Sequence, residues 1–247
     1  MYFFSYETDL PEGVGFSHFG PVHLLWLTAI VLCIVLLSIF YVKKSKKRQC
    51  MLNKALAWTM CGILAAEHVV LLVTGHQTIY QIPLHLCTMM PVICLIFSYT
   101  RWDWAGQTIY SLGIVGAMLA LLFPDWNMYP QWNYMNLTGF FIHTGLILFG
   151  VWQLAGKTVI PQMKAMWKPV VFLAAVVPPI YLIDRWLGTN YLFLMEGSLG
   201  SPLQVLYERL GNMYIPVYAA LVLAVITIEY LPWLRKKRHA VSEESRL

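Results

Sequence analysis

The sequence predicts an all-α polytopic membrane helical bundle with seven transmembrane helices, an outside N-terminus and a cytoplasmic C-terminus. Hydrophobic residues make up 59% of the chain and charged residues only 12%, which is far from the composition of soluble globular proteins. In addition, Lys and Arg concentrate in alternate connections between the apolar segments. Together these observations predict a multi-pass protein with one fixed orientation.

Seven apolar segments are each long enough to cross a bilayer. A helix needs about 20 apolar residues to span roughly 30 Å of hydrocarbon. The candidate spans lie near residues 20–42, 53–75, 82–100, 104–123, 135–155, 168–187 and 211–233. Because these spans use most of the 247 residues, we expect residues 1–247 to form a single integral membrane domain without a separate soluble catalytic domain.

Basic residues near the ends of the segments determine the predicted orientation. The first, third and fifth connections and the C-terminal tail carry Lys43, Lys44, Lys46, Lys47, Arg48, Lys54, Arg101, Lys157, Lys164, Lys168, Arg235, Lys236, Lys237, Arg238 and Arg246. The N-terminus and the even-numbered connections carry only Arg185 and Arg209. Since cytoplasmic connections are enriched in Lys and Arg, the net charge of +5 reflects topology rather than nucleic-acid binding. The runs 43–48 and 235–238 are interpreted as solvated flanks, with contact to anionic headgroups as the less favoured alternative.

The five cysteines do not predict a disulfide framework or a metal site. Four of them, Cys33, Cys61, Cys87 and Cys94, fall inside predicted helices, and no CxxC or other metal-binding spacing occurs. The sequence therefore predicts no metal and no cofactor.

Two further segments carry predictions about local structure. Pro178 and Pro179 are expected to kink or break the sixth helix, because proline removes backbone hydrogen bonds, and such a break should face protein or water. Residues 202–210 are expected to form a short interfacial helix within the outer connection 188–210. That connection is interpreted either as a lid over an outer-leaflet site or as an ordinary interfacial loop.

Ionisable side chains within the predicted spans gather in the outer half of the membrane. At 1.5 Å per residue, His85 lies roughly 5 Å below the outer boundary, Glu67 and His68 roughly 10 Å, and His143 roughly 12 Å. Asp184 lies close to the outer end of the sixth helix, and the inner half holds nothing comparable. Such groups are costly in a membrane and usually face the bundle interior, so they are the candidates for a functional site.

Helical spacing in the third segment relates His85 to its neighbours. Gln81, His85 and Thr88 share one face of a helix at three- and four-residue spacing. Cys87 points away from that face. Thr88 is therefore predicted to be the better partner of His85.

Helical spacing in the fifth segment gives His143 a particular environment. Asn136 and Gly139 share its face, and helical side chains lean towards the N-terminus of their helix. His143 is therefore expected to project over Gly139 and to have open space beside its imidazole. A general base needs such space, whereas a packed structural histidine does not.

The intramembrane histidines allow several interpretations. A lone histidine in a membrane is more often a hydrogen-bonded strut, but three at one depth with carboxylates nearby favour general acid–base catalysis. A zinc site built from His68, His85 and His143 is the less favoured alternative. No helix carries the paired ligand spacing of known metal motifs.

Four short motifs occur in order along nearly the whole chain. They are Ile82-Pro83-Leu84-His85-Leu86-Cys87, Leu122-Phe123-Pro124-Asp125, Phe140-Phe141-Ile142-His143 and Gly188-Thr189-Asn190-Tyr191. This set resembles the YwaF-like bacterial membrane proteins, which are grouped with the transmembrane protein 164 family. The resemblance implies a multi-pass protein of the bacterial plasma membrane. It also implies acyl chemistry, because animal members are described as acyltransferases that move a fatty acyl chain between phospholipids through a Cys and a His, and distant relatives hydrolyse fatty-acid esters with a Thr and a His.

The same resemblance implies that His143 is the catalytic histidine. The family's Cys belongs to a Pro-Cys-His motif, which reads Pro83-Leu84-His85 here, so Leu84 stands at the nucleophile position. Without a thiol at that position the same covalent mechanism is not implied. Cys87 and Thr88, one turn deeper, are the remaining candidates for a nucleophile.

Two functions are therefore carried forward. The favoured one is an acyltransferase or ester hydrolase acting on outer-leaflet lipid, with His143 as general base, His85 as its partner and Thr88 or Cys87 as nucleophile. The supporting polar residues are Glu67, His68, Asp184, Asn136 and Asn190. The alternative is a lipid- or solute-binding transporter or accessory protein of the envelope without catalysis. Membrane lipids are the expected partners, nucleic acid is not, and the sequence does not determine the oligomeric state.

Overall fold

The structure, a computed structural model, describes residues 2–234. Every regular element within this range is a helix, and seven helical stretches are long and apolar enough to cross a membrane. The prediction of an all-α protein with seven membrane spans is therefore confirmed. Arg246 and the basic run 235–238 lie outside the described residues.

Eight α-helices form the bundle. They are α1 (Pro21–Val42), α2 (Lys46–Thr74), α3 (Leu86–Thr100), α4 (Asp103–Leu122), α5 (Tyr134–Ala155), α6 (Trp167–Leu187), α7 (Pro202–Leu210) and α8 (Tyr214–Tyr230). Within α4, residues Ile109–Gly113 form a π-helical segment. Short 3-10 helices occupy Glu7–Asp9, Ile79–Gln81, Met163–Ala165, Tyr191–Phe193 and Gly211–Met213.

Two of the predicted spans differ from the helices in their starting points. The second helix begins at Lys46, several residues before the predicted start at 53, because Ser45 caps it by accepting a hydrogen bond from the backbone N–H of Arg48. In the third span, regular α-helix begins only at Leu86, since Pro83 separates it from the short helix Ile79–Gln81. The polar residues at the start of the third span therefore do not lie on one continuous helix.

Helix α5 lies at the centre of the bundle and packs against α1, α2, α3 and α4. Its glycines permit this close approach, as small residues do in membrane helices. A Cβ at Gly145 would lie 2.8 Å from the sulfur of Met60, and one at Gly150 would lie 2.4 Å from Cγ1 of Ile114. The outward faces of the peripheral helices expose large apolar side chains such as Leu36, as expected for a surface in contact with lipid.

The predicted break in the sixth helix is wrong. Helix α6 runs without interruption from Trp167 to Leu187 and contains both prolines. The missing proline N–H groups deprive only the carbonyls of Ala174 and Ala175 of their usual donors. Both prolines are exposed, and the helix continues on either side of them.

The predicted interfacial helix at 202–210 is present as α7. Ser201 caps it with a side-chain hydrogen bond to the N–H of Leu203, and Pro202 occupies its first turn. No residue of α7 is buried, and its polar and apolar residues lie on opposite sides. This is the arrangement of a helix at a membrane surface.

Residues 2–19, here called the N-terminal segment, fold across the end of the bundle where α2 and α4 end. The Asn133 side chain donates to the carbonyls of Tyr2 and Ser5, at 2.6 and 2.9 Å. Buried His23 then holds the segment to α4: its Nδ1 accepts from the N–H of Phe19 at 2.9 Å, so its Nε2–H donates to the Leu121 carbonyl at 2.8 Å. These bonds place the segment over the predicted site.

Candidate functional site

His143 lies in α5 and is 6% exposed. Its Nδ1 lies 2.7 Å from the backbone carbonyl of Gly139. A carbonyl can only accept a hydrogen bond, so Nδ1 carries the proton, and the neutral imidazole keeps an unprotonated Nε2. Within residues 2–234 no group forms a hydrogen bond with Nε2. This nitrogen is also not among the atoms that the protein covers completely and leaves unbonded. A general base requires a nitrogen in this state.

The open space expected beside His143 is not present. The indole of Trp126 stacks on the imidazole with ring centres 4.8 Å apart and planes 18° from parallel. It fills the position that a side chain at Gly139 would occupy, since a Cβ there would lie 2.7 Å from Cε2 of Trp126. The expectation was wrong because the residue that fills this space comes from a connection, which helical spacing does not reveal. Gly139 thus makes room for the indole.

His85 lies at the N-cap of α3 rather than within a helix. Its ring packs against the rings of Tyr191 and Phe193, with centres 5.4 and 5.5 Å away. Its charge interacts with that of His143 and with that of Asp184. His85 therefore lies between His143 and the connection that follows α6.

Asp184 organises that connection. It is 1% exposed, and its Oδ1 accepts from the Thr189 hydroxyl at 2.7 Å and from the Tyr191 N–H at 2.9 Å. Its Oδ2 has no hydrogen-bond partner in the described part of the chain. The motif Gly188-Thr189-Asn190-Tyr191 thus folds around the buried Asp184 carboxylate. Hydrogen bonds hold its Oδ1 in place, and its charge acts on His85.

The backbone beside His85 is strained. Leu192 and Phe193 both have a φ of 55°, in the left-handed region that residues with a Cβ seldom adopt. Each such residue costs of the order of 1 kcal/mol or more, and strain of this kind is concentrated at functional sites. Here it sets the Phe193 ring against His85.

Cys87 and Glu67 belong to the same region. The charges of Glu67 and Asp125 both act on the Cys87 thiol, which is free and only partly buried. The Glu67 carboxylate lies beside Thr138 of α5. Negative charges near a thiol oppose formation of a thiolate, which is its reactive form. Cys87 is therefore close to the cluster but poorly placed as a nucleophile.

Thr88 is engaged with the backbone. Its hydroxyl donates to the carbonyl of His85 at 2.8 Å, and its N–H donates to the same oxygen at 3.1 Å. Thr88 is thus a helix-start residue that contacts the backbone, not the ring, of His85. Gln81, expected on the same face, instead donates from its side chain to the hydroxyl of Tyr6.

Three other predicted residues bond locally. His68 lies 3.2 Å from the Gln77 side-chain oxygen, the Asn136 amide donates to the Gln131 carbonyl at 2.8 Å, and the Asn190 oxygen accepts from the Met195 N–H at 2.9 Å. Asn190 therefore shapes the connection after α6. Within residues 2–234 no three His, Cys, Asp or Glu side chains gather as a metal-binding group, so the three-histidine zinc alternative has no geometric support.

Residues that the sequence did not single out complete the cluster. Asp125 and Trp126 come from the connection after α4, and Tyr6 and Glu7 come from the N-terminal segment. Asp125 is exposed in part, but desolvation of its carboxyl by the surrounding protein, and secondarily the charge of Glu7, raises its pKa. Burial also raises the pKa of Tyr6 to about 12. The signals that could have identified these residues are the motif ending in Asp125 and the aromatic connection 124–134, which lacks basic residues.

The half of the bundle predicted to be the inner one also contains a carboxyl group shielded from solvent, contrary to expectation. Both side-chain oxygens of Glu229, near the end of α8, are covered by neighbouring atoms. The Ser111 hydroxyl of the π-helical segment lies beside them. This pair is separate from the histidine cluster at the other end of the bundle.

Comparison with known proteins gives one result. No curated protein and no solved structure matches the chain. A family model described as the TMEM164 family matches residues 18–230. The matched range covers most of the 247 residues and includes all four motifs, His143 and its neighbours. This multi-pass membrane protein therefore belongs to the TMEM164 family.

Proposed function

We propose that this protein is an acyltransferase or ester hydrolase that acts on lipid in the outer leaflet of a bacterial cell membrane. The observation that carries the proposal is the Nδ1–H bond of His143 to the Gly139 carbonyl at 2.7 Å, which leaves Nε2 as a base. His85, whose charge interacts with that of Asp184, would stabilise the developing negative charge.

The residues around His143 favour general-base catalysis over a covalent enzyme intermediate. Leu84 offers no nucleophile, the Thr88 hydroxyl is bonded to a carbonyl, and the negative charges of Asp125 and Glu67 act on Cys87. In the proposed step, Nε2 of His143 removes a proton from water or a lipid hydroxyl, whose oxygen attacks the ester carbonyl. The tetrahedral intermediate then expels the original alcohol as an alkoxide, which takes the proton back from the imidazolium. Water as the attacking group gives hydrolysis, and a lipid hydroxyl gives acyl transfer.

The experiment is lipid mass spectrometry on membranes of cells that carry wild type, His143→Ala or an empty vector. His68→Ala is the matched control, because the His68 ring bonds to the Gln77 side chain and not to His143. We expect an altered acyl-chain distribution with wild type and His68→Ala and its loss with His143→Ala. Identical acyl-chain distributions in all four membranes would reject the proposal.

Purified protein in vesicles of isotope-labelled phospholipid distinguishes the two reactions. Release of free fatty acid indicates hydrolysis, whereas label in a second lipid class indicates transfer. Cys87→Ala tests the covalent alternative. We expect this variant to retain activity, and complete loss of turnover would instead assign Cys87 as the nucleophile.

The alternative of a non-catalytic transporter or accessory protein rests on Leu84 at the position of the family's nucleophile. A broken sixth helix would also have favoured this alternative, because interrupted helices are common at transporter sites, but α6 is continuous. Transport of lipid or solute into vesicles without turnover of labelled lipid would favour this alternative.

A further inference from the structure

A cavity of about 360 Å³ lies at the end of the bundle opposite His143. It is lined by Asp103, Gln107, Gln162, Lys164, Ala165, Trp167 and Lys168. These residues belong to the first turns of α4 and α6 and to the connection before α6. The cavity is therefore at the level where a spanning helix leaves the hydrocarbon.

One side of the cavity is rigid. Lys168 forms an ion pair with Asp103 Oδ2, and the Gln107 amide donates to Asp103 Oδ1 at 3.1 Å. Gln107 is held in turn, since it also donates to the Ile160 carbonyl at 3.2 Å and accepts from the Tyr230 hydroxyl at 2.9 Å. Asp103 thus has both oxygens bonded, and the Lys168 ammonium, which has three donors, is fixed with two N–H groups left over.

The other side offers unused donors. Lys164 and Gln162 are exposed, and within residues 2–234 neither side chain has a hydrogen bond or ion pair. With the pair of Lys168 and Asp103 balanced, Lys164 leaves the cavity with one net positive charge. Trp167 is 57% exposed, and an indole in this position is typical of the headgroup layer.

We propose that this cavity binds the phosphate of an anionic phospholipid in the adjoining leaflet. Lys164 would supply the charge, the remaining N–H groups of Lys168 and the Gln162 amide would bond the phosphate oxygens, and Trp167 would pack against the glycerol and the first methylenes. A solvated basic flank needs no cavity and no ammonium held by a carboxylate that an amide keeps in position. The binding site is independent of the chemistry proposed at His143.

The test is native mass spectrometry of the full-length protein with added phosphatidylglycerol or phosphatidylcholine. We expect wild type to retain one molecule of phosphatidylglycerol in preference to phosphatidylcholine. Lys164→Gln should reduce this retention about fivefold, the contribution of one lysine at a membrane surface, and Lys164→Glu should reduce it further. Lys164 is exposed, so neither change should affect folding.

Lys157→Gln is the matched control, because Lys157 is a lysine of the same connection that does not line the cavity. It should retain phosphatidylglycerol as wild type does. Equal retention by Lys164→Gln and Lys157→Gln would overturn the proposal. Binding of millimolar inorganic phosphate without retention of phosphatidylglycerol would also overturn it, and would assign the cavity to free phosphate.

Discussion

At the scale of single residues, the state of His143 is determined by two neighbours that serve different purposes. The Gly139 carbonyl selects the tautomer, and the Trp126 indole fixes the plane of the ring. Position 139 must be a glycine, because any side chain there would meet the Trp126 indole. The sequence reveals the position of His143. It does not reveal the stacking partner Trp126, because that residue comes from a connection.

Gly139→Ala should therefore disturb the site without touching the histidine. The new Cβ would lie 2.7 Å from Cε2 of Trp126, so the indole must move and the His143 ring loses its support. We expect a loss of about 1–3 kcal/mol in stability, as for overpacked cores, and a fall in lipid turnover of tenfold or more, about the effect of misplacing a catalytic group. Thermal unfolding and turnover of labelled lipid measure the two effects.

Gly62→Ala is the control for this substitution. Gly62 lies in α2, and a Cβ there would meet nothing within 4 Å. Alanine should be neutral or stabilising by up to about 1 kcal/mol, because it favours helix more than glycine does. A wild-type activity in Gly139→Ala would show that the stacking of Trp126 does not matter for the reaction.

Asp125 provides a pH-dependent contribution of known sign. Part of the Asp125 residue is exposed, but the protein atoms packed around its carboxyl desolvate it and raise its pKa above the ordinary value of 3.8, so the folded protein binds this proton more tightly than the unfolded chain. Stability is then lost as the pH rises from about 3.8 through the raised pKa of the folded state. Asp125→Asn removes this loss, and its melting temperature relative to wild type should be higher at pH 7 than at pH 4. If the melting temperature of Asp125→Asn relative to wild type is lower at pH 7 than at pH 4, desolvation does not control this carboxyl group.

At the scale of elements, capping side chains determine where several helices begin. The ends of helices near the site depend instead on contacts with residues distant in the sequence. Ser45 and Ser201 cap helices as their side chains predict. The start of α3 was predicted too early, because hydropathy runs through Pro83 while the regular backbone does not. Periodicity therefore located the spans but assigned Gln81 to a helical face that does not exist.

The middle of the N-terminal segment contacts the residues that follow α2 through three side-chain interactions. His76 pairs with Asp9 at 3.0 Å, the Tyr6 ring stacks on His76 with ring centres 5.0 Å apart, and Gln81 bonds the Tyr6 hydroxyl. Asp9→Asn removes the ion pair and should increase access to the cluster beneath. In a variant with Cys87 as its sole cysteine, we expect maleimide to label Cys87 several-fold faster after this change.

The control for the segment is Glu12→Gln, which removes an exposed acidic side chain from the same stretch. Its labelling rate should equal that of the parent. If both substitutions leave the rate unchanged, the N-terminal segment does not control access to Cys87.

At the scale of the whole molecule, composition was sufficient for the fold class because a membrane leaves few choices. Every backbone group must be bonded within the chain, so apolar segments of this length form helices. The sequence also predicted which end of the bundle carries the histidines. The side chains that meet at this end depend on the packing of helices around α5. They also depend on the N-terminal segment and the connection after α4, and neither arrangement can be read from hydropathy or spacing.

The orientation of the bundle is the prediction on which the outer-leaflet substrate depends. Positive connections should be cytoplasmic, which places the connection containing Lys157 inside and the one containing Leu199 outside. In a cysteine-free background, a membrane-impermeant maleimide should label Leu199→Cys in intact cells and Lys157→Cys only after permeabilisation. Leu199 is 73% exposed, so labelling there is limited by the membrane and not by the fold. The reverse pattern would place the His143 cluster on the cytoplasmic side and make inner-leaflet lipid its substrate.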